Sequence, residues 1–545
     1  MAERVSRFAC LWVPCFVAAA HVRCEPALAE RPLIVVTPSR ADARSAPSAP
    51  RVASTPRASG PVREIEERPG GAGALRAWGR SGAISGPPIS VVARVLDANA
   101  AARERGVRPG MTEAEARARA PELVRRVLVD EHVTAARHAL LEAALAVSPR
   151  VEDGGPGVVH VDVGGLARLV GDDTAIAERL ARHARTVGLP AHVGVAGSRP
   201  AARVAAQLGR RVTIVPAGQE RATLAVAPLG LLALPEPLAA TLAGWGIATL
   251  GELAALPREG LGLRLGAAGL RAHDVACGRD HEPFQAWQPP ASWTETQHVE
   301  WEIDSLDALA IVLGPVLERL AARLAAVYLS ADGLDIELAL TSGARHQRAV
   351  SLAYPTRDPA LMLLVTRLDL ESHPPPAAVT TVVVTVHPAT APVLPGVLGE
   401  PPAPAARDLA TVLARLTALV GANGVGMPVL VDSHRADAVV LEPFRPPTTS
   451  AMPTSAVIEA ADGGLVLRRV RPPRVVHVEM LAGRPVRALD RHVVTCAGPW
   501  RTSGEWWDTG AWARDEWDVL LSDGWLCRLA HDLLTKSWSL DGVYD

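Results

Sequence analysis

Gly155-Pro-Gly-Val-Val-His-Val-Asp-Val-Gly-Gly-Leu-Ala-Arg-Leu-Val-Gly171 is the stretch that decides how this chain is read. Val159, Val161 and Val163 alternate with His160 and Asp162, the period of two expected of a strand with one face in a core and a carboxylate-bearing face turned outward. Such a strand can present Asp162 to a metal ion. A two-metal phosphoryl-transfer site, however, needs several acidic groups converging on paired ions, and one carboxylate does not make one. The function therefore turns on whether Asp162 has partners.

Working outward, the chain before the stretch predicts a buried strand at 8–13, a helix at 16–29, a strand at 91–96, and helices from Ala98 to Arg105 and from Thr112. Thr112 and Glu115 have capping-box spacing. Between Pro38 and Pro88 the residues are mostly Ala, Ser, Pro, Arg and Gly without period, which predicts a disordered insertion at about 38–88. The apolar face of 130–147 predicts a helix packed on a sheet, and beyond Gly171 helices and strands alternate to Val215. An α/β layer results.

Residues 224–285 change to short helices punctuated by proline, with a hairpin around Leu242-Ala-Gly-Trp-Gly-Ile-Ala-Thr-Leu. Its backbone N–H groups can serve either a phosphate or simple packing. From Gln297 to Val386 the order strand, helix, two strands, helix, strand is the ferredoxin-like β-α-β-β-α-β unit, with Arg345, His346, Arg348 and Arg357 beside its middle strands. A Pro-rich connector, an amphipathic helix at 406–420 and a second loose stretch precede a β-rich end that holds Trp500, Trp506, Trp507, Trp512, Trp517, Trp525 and Trp538. Tryptophans at that density fill a core, form an interface, or do both. Asp432 and His434 sit in a turn-like stretch with no third member for acid–base chemistry.

Composition sets bounds on all of this. The 545 residues carry a formal net charge of −2, with 48% hydrophobic and 21% charged residues, so several soluble domains are expected and any binding of nucleic acid must come from local arginines. Lys536 is the single lysine. Six scattered cysteines contain no C-x-x-C pair, which indicates neither a zinc site nor a disulfide framework and suits a reducing cytoplasm. Pro14 interrupts the apolar run after Arg7, against a secretory signal, and no stretch is apolar for long enough to span a bilayer.

Taken in order, these pieces resemble a Y-family translesion DNA polymerase. Val95-Leu-Asp-Ala-Asn-Ala-Ala-Ala-Arg-Glu-Arg-Gly-Val-Arg-Pro-Gly-Met is similar to that family's fingers motif, and His192-Val-Gly-Val-Ala-Gly-Ser-Arg-Pro-Ala-Ala-Arg to its palm segment. The resemblance covers about residues 5–390. It implies a multidomain α/β (α+β) right hand: palm and fingers at 1–221, a helical thumb with a helix-hairpin-helix-like element at 222–288, and a ferredoxin-like little finger at 291–390. A linker at 391–464 and a small β-rich domain at 465–545 follow.

The same resemblance marks what is missing. Trp12, Gly157 and Val158 occupy the positions of the family's metal-binding carboxylates, and Asp162 is not one of these. Ala100 replaces a nucleotide-gripping tyrosine, while Arg103 and Arg210 are remnants of the nucleotide site. No catalytic residue and no metal cofactor is therefore expected, and Arg264, Arg271, Arg345 and Arg348 are the expected DNA contacts. This pattern resembles the ImuB-type subgroup of the bacterial mutasome. The likeness implies an adaptor joining DNA, the sliding clamp, a RecA-like ImuA-type protein and an error-prone DnaE-type replicase. Val393, Leu394, Val397 and Leu398 stand where the clamp-binding peptide belongs but lack its Gln and Phe, and Trp506, Trp507, Trp512 and Trp517 are the expected partner contacts of the last domain. The competing reading is an active polymerase using Mg²⁺ held by Asp162 with Asp172 or Asp173, or with Glu152 and Asp153; Asp172 and Asp173 better suit a cap on the helix that starts at Thr174. A small-molecule enzyme is a third class, for which no Gly-rich phosphate loop or triad is present.

Overall fold

The computed structural model describes residues 6–38, 93–232, 234–390, 406–421, 424–431, 438–442, 465–507 and 509–544. Apart from Pro38, the expected insertion lies outside them, as do Val393, Leu394, Val397, Leu398, Asp432, His434 and Asp508.

The chain begins with β1 (Phe8–Trp12) and α1 (Phe16–Cys24). The helix stops earlier than its apolar run suggests. Glu25 precedes Pro26, and the proline ring excludes its predecessor from helical geometry, so Glu25 turns to φ −131° and a short 3₁₀ turn follows. A three-stranded fingers sheet comes next, ordered β3-β2-β4 from β2 (Leu33–Val36), β3 (Val95–Ala98) and β4 (Val124–Val127), with α2 (Ala100–Glu104) and α3 (Glu113–Arg119). Of these strands, β3 lies a few residues beyond the 91–96 expected for it. Thr112 and Glu115 close the expected capping box on α3.

The palm is completed by α4 (Asp130–Leu145), β5 (Val151–Asp153), β6 (Val158–Asp162), α5 (Asp173–Thr186), β7 (His192–Ala196), α6 (Arg199–Gln207) and β8 (Val212–Ile214). Its sheet is ordered β5-β6-β1-β7-β8, with β1 antiparallel to both of its neighbours. Val159, Val161 and Val163 join Ala9 and Leu11 in a core against α4 and α5, as their alternation requires. The opposite face is not turned to solvent. Cys10, Val158 and Ala196 form a second core there with α6, which lies so close that a Cβ on Gly194 would run into the Ala202 carbonyl. His160 faces Arg199 and Arg203 of that helix, and burial together with those two guanidiniums pushes its imidazole down to about 3.

The thumb holds α7 (Glu220–Leu224), α8 (Glu236–Gly244), α9 (Leu250–Ala255) and α10 (Arg258–Ala276), the last broken at Gly266. The little finger runs β9 (Trp293–Ile303), α11 (Leu306–Ala326), β10 (Ser330–Leu340), β11 (Arg345–Thr356), α12 (Pro359–Ser372) and β12 (Val379–Ala389). That is the expected β-α-β-β-α-β order. The sheet reads β11-β10-β12-β9, so the helix-linked strands β9 and β10 both run antiparallel to the β12 strand between them.

All of these elements belong to one compact unit. After α13 (Ala406–Val420) and a hairpin of β13 (Met427–Leu430) and β14 (Val439–Glu442), a second unit contains β15 (Leu467–Val475), β16 (Val478–Leu481), β17 (Arg484–Ala488), β18 (Arg491–Gly504), β19 (Trp512–Leu521), β20 (Leu526–Asp532) and β21 (Trp538–Tyr544). These seven make one antiparallel sheet, β15-β21-β20-β19-β18-β17-β16, packed around Trp517, Val519, Leu521, Leu529 and Leu540.

Candidate nucleotide and nucleic-acid sites

Pairing of β1 with β6 sets Trp12 directly opposite Val158, and pairing with β7 sets it opposite His192, whose ring it meets edge-on at 5.5 Å. This is where the resemblance expects a metal-binding cleft. An indole and an isopropyl group offer no oxygen to a hard cation. Gly157 closes the remaining position: its φ is +72°, and a Cβ on it would lie 2.7 Å from Phe16 Cβ. The residues present do not fit a two-metal site.

The substitute carboxylates fare no better. Asp162 is four residues further along β6, about 13 Å away at strand rise, and its carboxylate accepts from the Gly164 N–H at 2.9 Å and faces Arg150 at 3.3 Å. Glu152 accepts from Arg199, and Asp153 from Arg137 and the Gly155 N–H. Asp172 caps α5 through the Ala175 N–H at 2.8 Å, and Asp173 takes two hydrogen bonds from Arg7. Each is committed to an arginine or a helix end. Among the described residues no cluster of three His, Cys, Asp or Glu side chains is arranged to hold a metal.

In the fingers, Arg103 donates to Asp97 at 2.8 Å and to the Ala98 carbonyl, while Asp97 also accepts from the Ala18 N–H of α1. Asp97 thus ties the fingers to α1, and Arg103 holds Asp97. Arg210 is exposed at the start of the turn into β8.

Residues 11–207, from β1 to the end of α6, match the profile of the impB/mucB/samB family. Over these residues the chain is similar to that family. Protein ImuB from Caulobacter vibrioides is 27% identical over 423 residues, which cover 74% of this chain and 89% of that protein. A DNA polymerase IV from the same species is 28% identical over 222 residues, 39% of this chain and 54% of that one. Among solved structures, DinB from Sulfolobus solfataricus aligns with 70% of this chain and 98% of its own at 13% identity, with a TM-score of 0.37.

Beyond residue 207, the thumb hairpin has no spare donors for a phosphate. The N–H groups of Ala248 and Thr249 go to Glu252, those of Leu250 and Gly251 to the carbonyls of Ala227 and Ala225, and that of Glu252 to Thr249 Oγ. The packing role wins. Arg264 and Arg271 are exposed on either side of the Gly266 break and have no acidic partner among the described residues, so their charge is available.

Arg345 and Arg348 do not form one arginine face. Three residues apart on a strand, they point to opposite sides. Arg345 meets Glu337 at 2.6 Å, and Arg348 grips Asp369 of α12 through two bonds of 2.8 Å. Both charges are answered within the little finger.

The second unit corrects the reading of its tryptophans. Trp517 is buried in the sheet core and Trp512 is half-buried, whereas Trp506 and Trp507 are 80% and 68% exposed and meet edge-on in the β18–β19 turn. The acids of β19 are paired with arginines. Asp515 pairs with Arg501, Glu516 with Arg514 and Arg528, and Asp518 with Arg528.

Sequence reading missed the buried charges of the first unit. Arg199 binds Asp280, Glu152 and the Glu282 carbonyl, and Arg23, Glu142, Glu295, Arg319 and Arg323 form a cluster between palm and little finger. The signal was present in the chain. Glu142 interrupts Leu140-Leu-Glu-Ala-Ala-Leu, and Arg319 and Arg323 stand one turn apart inside the apolar run of α11.

Proposed function

We propose that this chain is a non-catalytic, Y-family polymerase-like adaptor acting in the cytoplasm in DNA repair and damage-induced mutagenesis. The observation that carries the reading is position 157, where a left-handed glycine against Phe16 takes the place of a metal ligand. With Trp12 and Val158 completing the set, and the neighbouring acids bound to arginines or to backbone N–H groups, the palm has nothing with which to hold the paired ions of nucleotidyl transfer. It needs no metal cofactor.

DNA is held by exposed thumb arginines, Arg264 and Arg271 among them, without sequence preference. The protein partners proposed are the sliding clamp, a RecA-like ImuA-type protein and an error-prone DnaE-type replicase. The relative named ImuB, matched over 89% of its length, supports this choice. The clamp contact is weak, because Val393, Leu394, Val397 and Leu398 supply neither Gln nor Phe as anchors. No helix among the described residues is long and apolar enough to cross a membrane.

Primer extension by the purified chain with Mg²⁺ or Mn²⁺, run beside a binding assay on the same primed DNA, tests the reading. Binding without incorporation is expected. Incorporation abolished by Asp162→Ala would instead establish an active translesion polymerase working with substitute carboxylates.

A further inference from the structure

Glu295 of β9 is buried with its side chain 1% exposed, and three arginines converge on it. Arg23 of α1 makes a two-pronged contact at 2.9 and 2.7 Å, Arg323 of α11 donates at 3.1 Å, and Arg319 at 3.2 Å. Arg323 then reaches across to Glu142 of α4 with two bonds of 2.8 and 2.9 Å, and both of those side chains are fully buried. Two of the five groups belong to the palm helices and three to the little finger. Neither half closes on its own: without the little finger Arg23 and Glu142 are unpaired charges in an apolar helix face, and without the palm Glu295 loses its bidentate partner.

A second contact set pins the segment joining thumb to little finger. Asp280 grips Arg199 at 2.6 and 3.0 Å, Phe284 stacks on Phe8 and lies under Arg150, and the Trp287 N–H donates to the Val151 carbonyl on edge strand β5 at 2.7 Å. The connector is bound along the palm at three points spread over eight residues.

We infer that the Arg23–Glu295–Arg323–Glu142 cluster is an ionic lock that holds the little finger on the palm in one arrangement, with the 280–287 segment as its strap. A closed interface that fails to pair these charges leaves an uncompensated buried charge, so the cluster selects the one docked arrangement in which all of them are paired. Burial also shields the lock from salt, unlike exposed pairs. DNA therefore meets a little finger already in its final position. The lock holds whether or not the chain extends primers.

Hydrogen exchange on the full-length chain tests this. In the wild type, the amides of 280–299 and of α11 are expected to be protected to the level of palm strands β1 and β7, in 0.1 M and in 1 M salt, and with or without primed DNA. Glu295→Gln should speed exchange in 280–299 and α11 at least 100-fold while leaving β1 and β7 unchanged. Glu142→Gln, which keeps the shape and one acceptor, should do the same to a smaller degree, and Asp280→Asn should loosen the strap alone. The proposal is overturned if wild-type 280–299 exchanges freely, if neither glutamine variant changes its rate, or if β1 and β7 lose protection in step with it, since the two bodies would then be one folding unit with no separable lock.

Discussion

Phe16 Cβ lies 2.7 Å from where a Cβ on Gly157 would stand, so the first residue of α1 occupies the space a side chain at 157 would need. Gly157 also has φ +72°, a region that costs an L-residue about 1–2 kcal/mol. Gly157→Asp is therefore expected to destabilise the first unit by about 2–5 kcal/mol, from backbone strain plus overpacking against Phe16. The triple change Trp12→Asp, Gly157→Asp, Val158→Glu should still fail in primer extension. Urea titration and incorporation assays check the two halves; extension by the triple variant would mean that α1 yields easily.

Arg264 and Arg271 should contribute to DNA binding where Arg345 and Arg348 do not. The first two are exposed without acidic partners, whereas Glu337 and Asp369 already neutralise the second two. Replacing Arg264 and Arg271 with alanine should flatten the dependence of log K on log salt by about 2, near 0.9 per lost phosphate contact. Alanine at 345 and 348 should leave the slope within error and lower stability by less than about 1 kcal/mol, as expected of partly exposed pairs.

The frame was legible in the chain because period-two and period-3.6 patterns survive wherever one face of an element is buried. The strand around Val159 and Val161, the capping box at Thr112 and the β-α-β-β-α-β order all follow from that. What a single-residue pattern lacks is the identity of the opposite neighbour. His160 looked outward because nothing in its own segment announces α6, and Arg345 and Arg348 looked like a face because their acids lie on β10 and α12. The same holds for the lock, whose members come from four elements and whose bonded pair Arg23–Glu295 is 272 residues apart in the chain.

Acid should weaken the seam between palm and little finger. His21 meets His132 edge-on at 5.1 Å and His132 meets His298 at a tilt at 5.9 Å, beside Glu25, Arg126, Glu131, Glu295 and Arg319. Burial pushes His21 down to about 4 against the opposing pull of Glu25, and pushes His132 down to about 3. The folded state therefore holds these rings neutral while the unfolded chain takes up protons below about pH 6.5. The pH-dependent penalty is absent above that value and grows as pH falls towards the folded values, reaching about 2 kcal/mol for each of His21 and His132 at pH 5. Denaturant unfolding at pH 7 and pH 5 should show the loss, and His132→Phe should reduce it. An equal loss in that variant would place the acid sensitivity elsewhere.

Trp517 and Trp506 should separate stability from recognition in the second unit. Trp517 is 4% exposed among Val519, Leu521 and Leu529, so Trp517→Ala removes core volume and should cost about 3–5 kcal/mol. Trp506 and Trp507 stand at a turn, exposed and stacked edge-on, where truncation touches no core and should change stability by less than about 0.5 kcal/mol. Holding two large apolar rings in water has no structural return within the unit, and aromatics of this kind are the usual energetic centre of a protein interface. The strand beside them is charge-balanced, because Arg501, Arg514 and Arg528 answer Asp515, Glu516 and Asp518, so long-range attraction does not choose the partner and apolar contact must. Trp506→Ala with Trp507→Ala should therefore leave thermal unfolding unchanged while weakening capture of the RecA-like protein or the replicase at least 30-fold, with DNA binding intact. Unchanged capture of both would move the docking surface away from this turn.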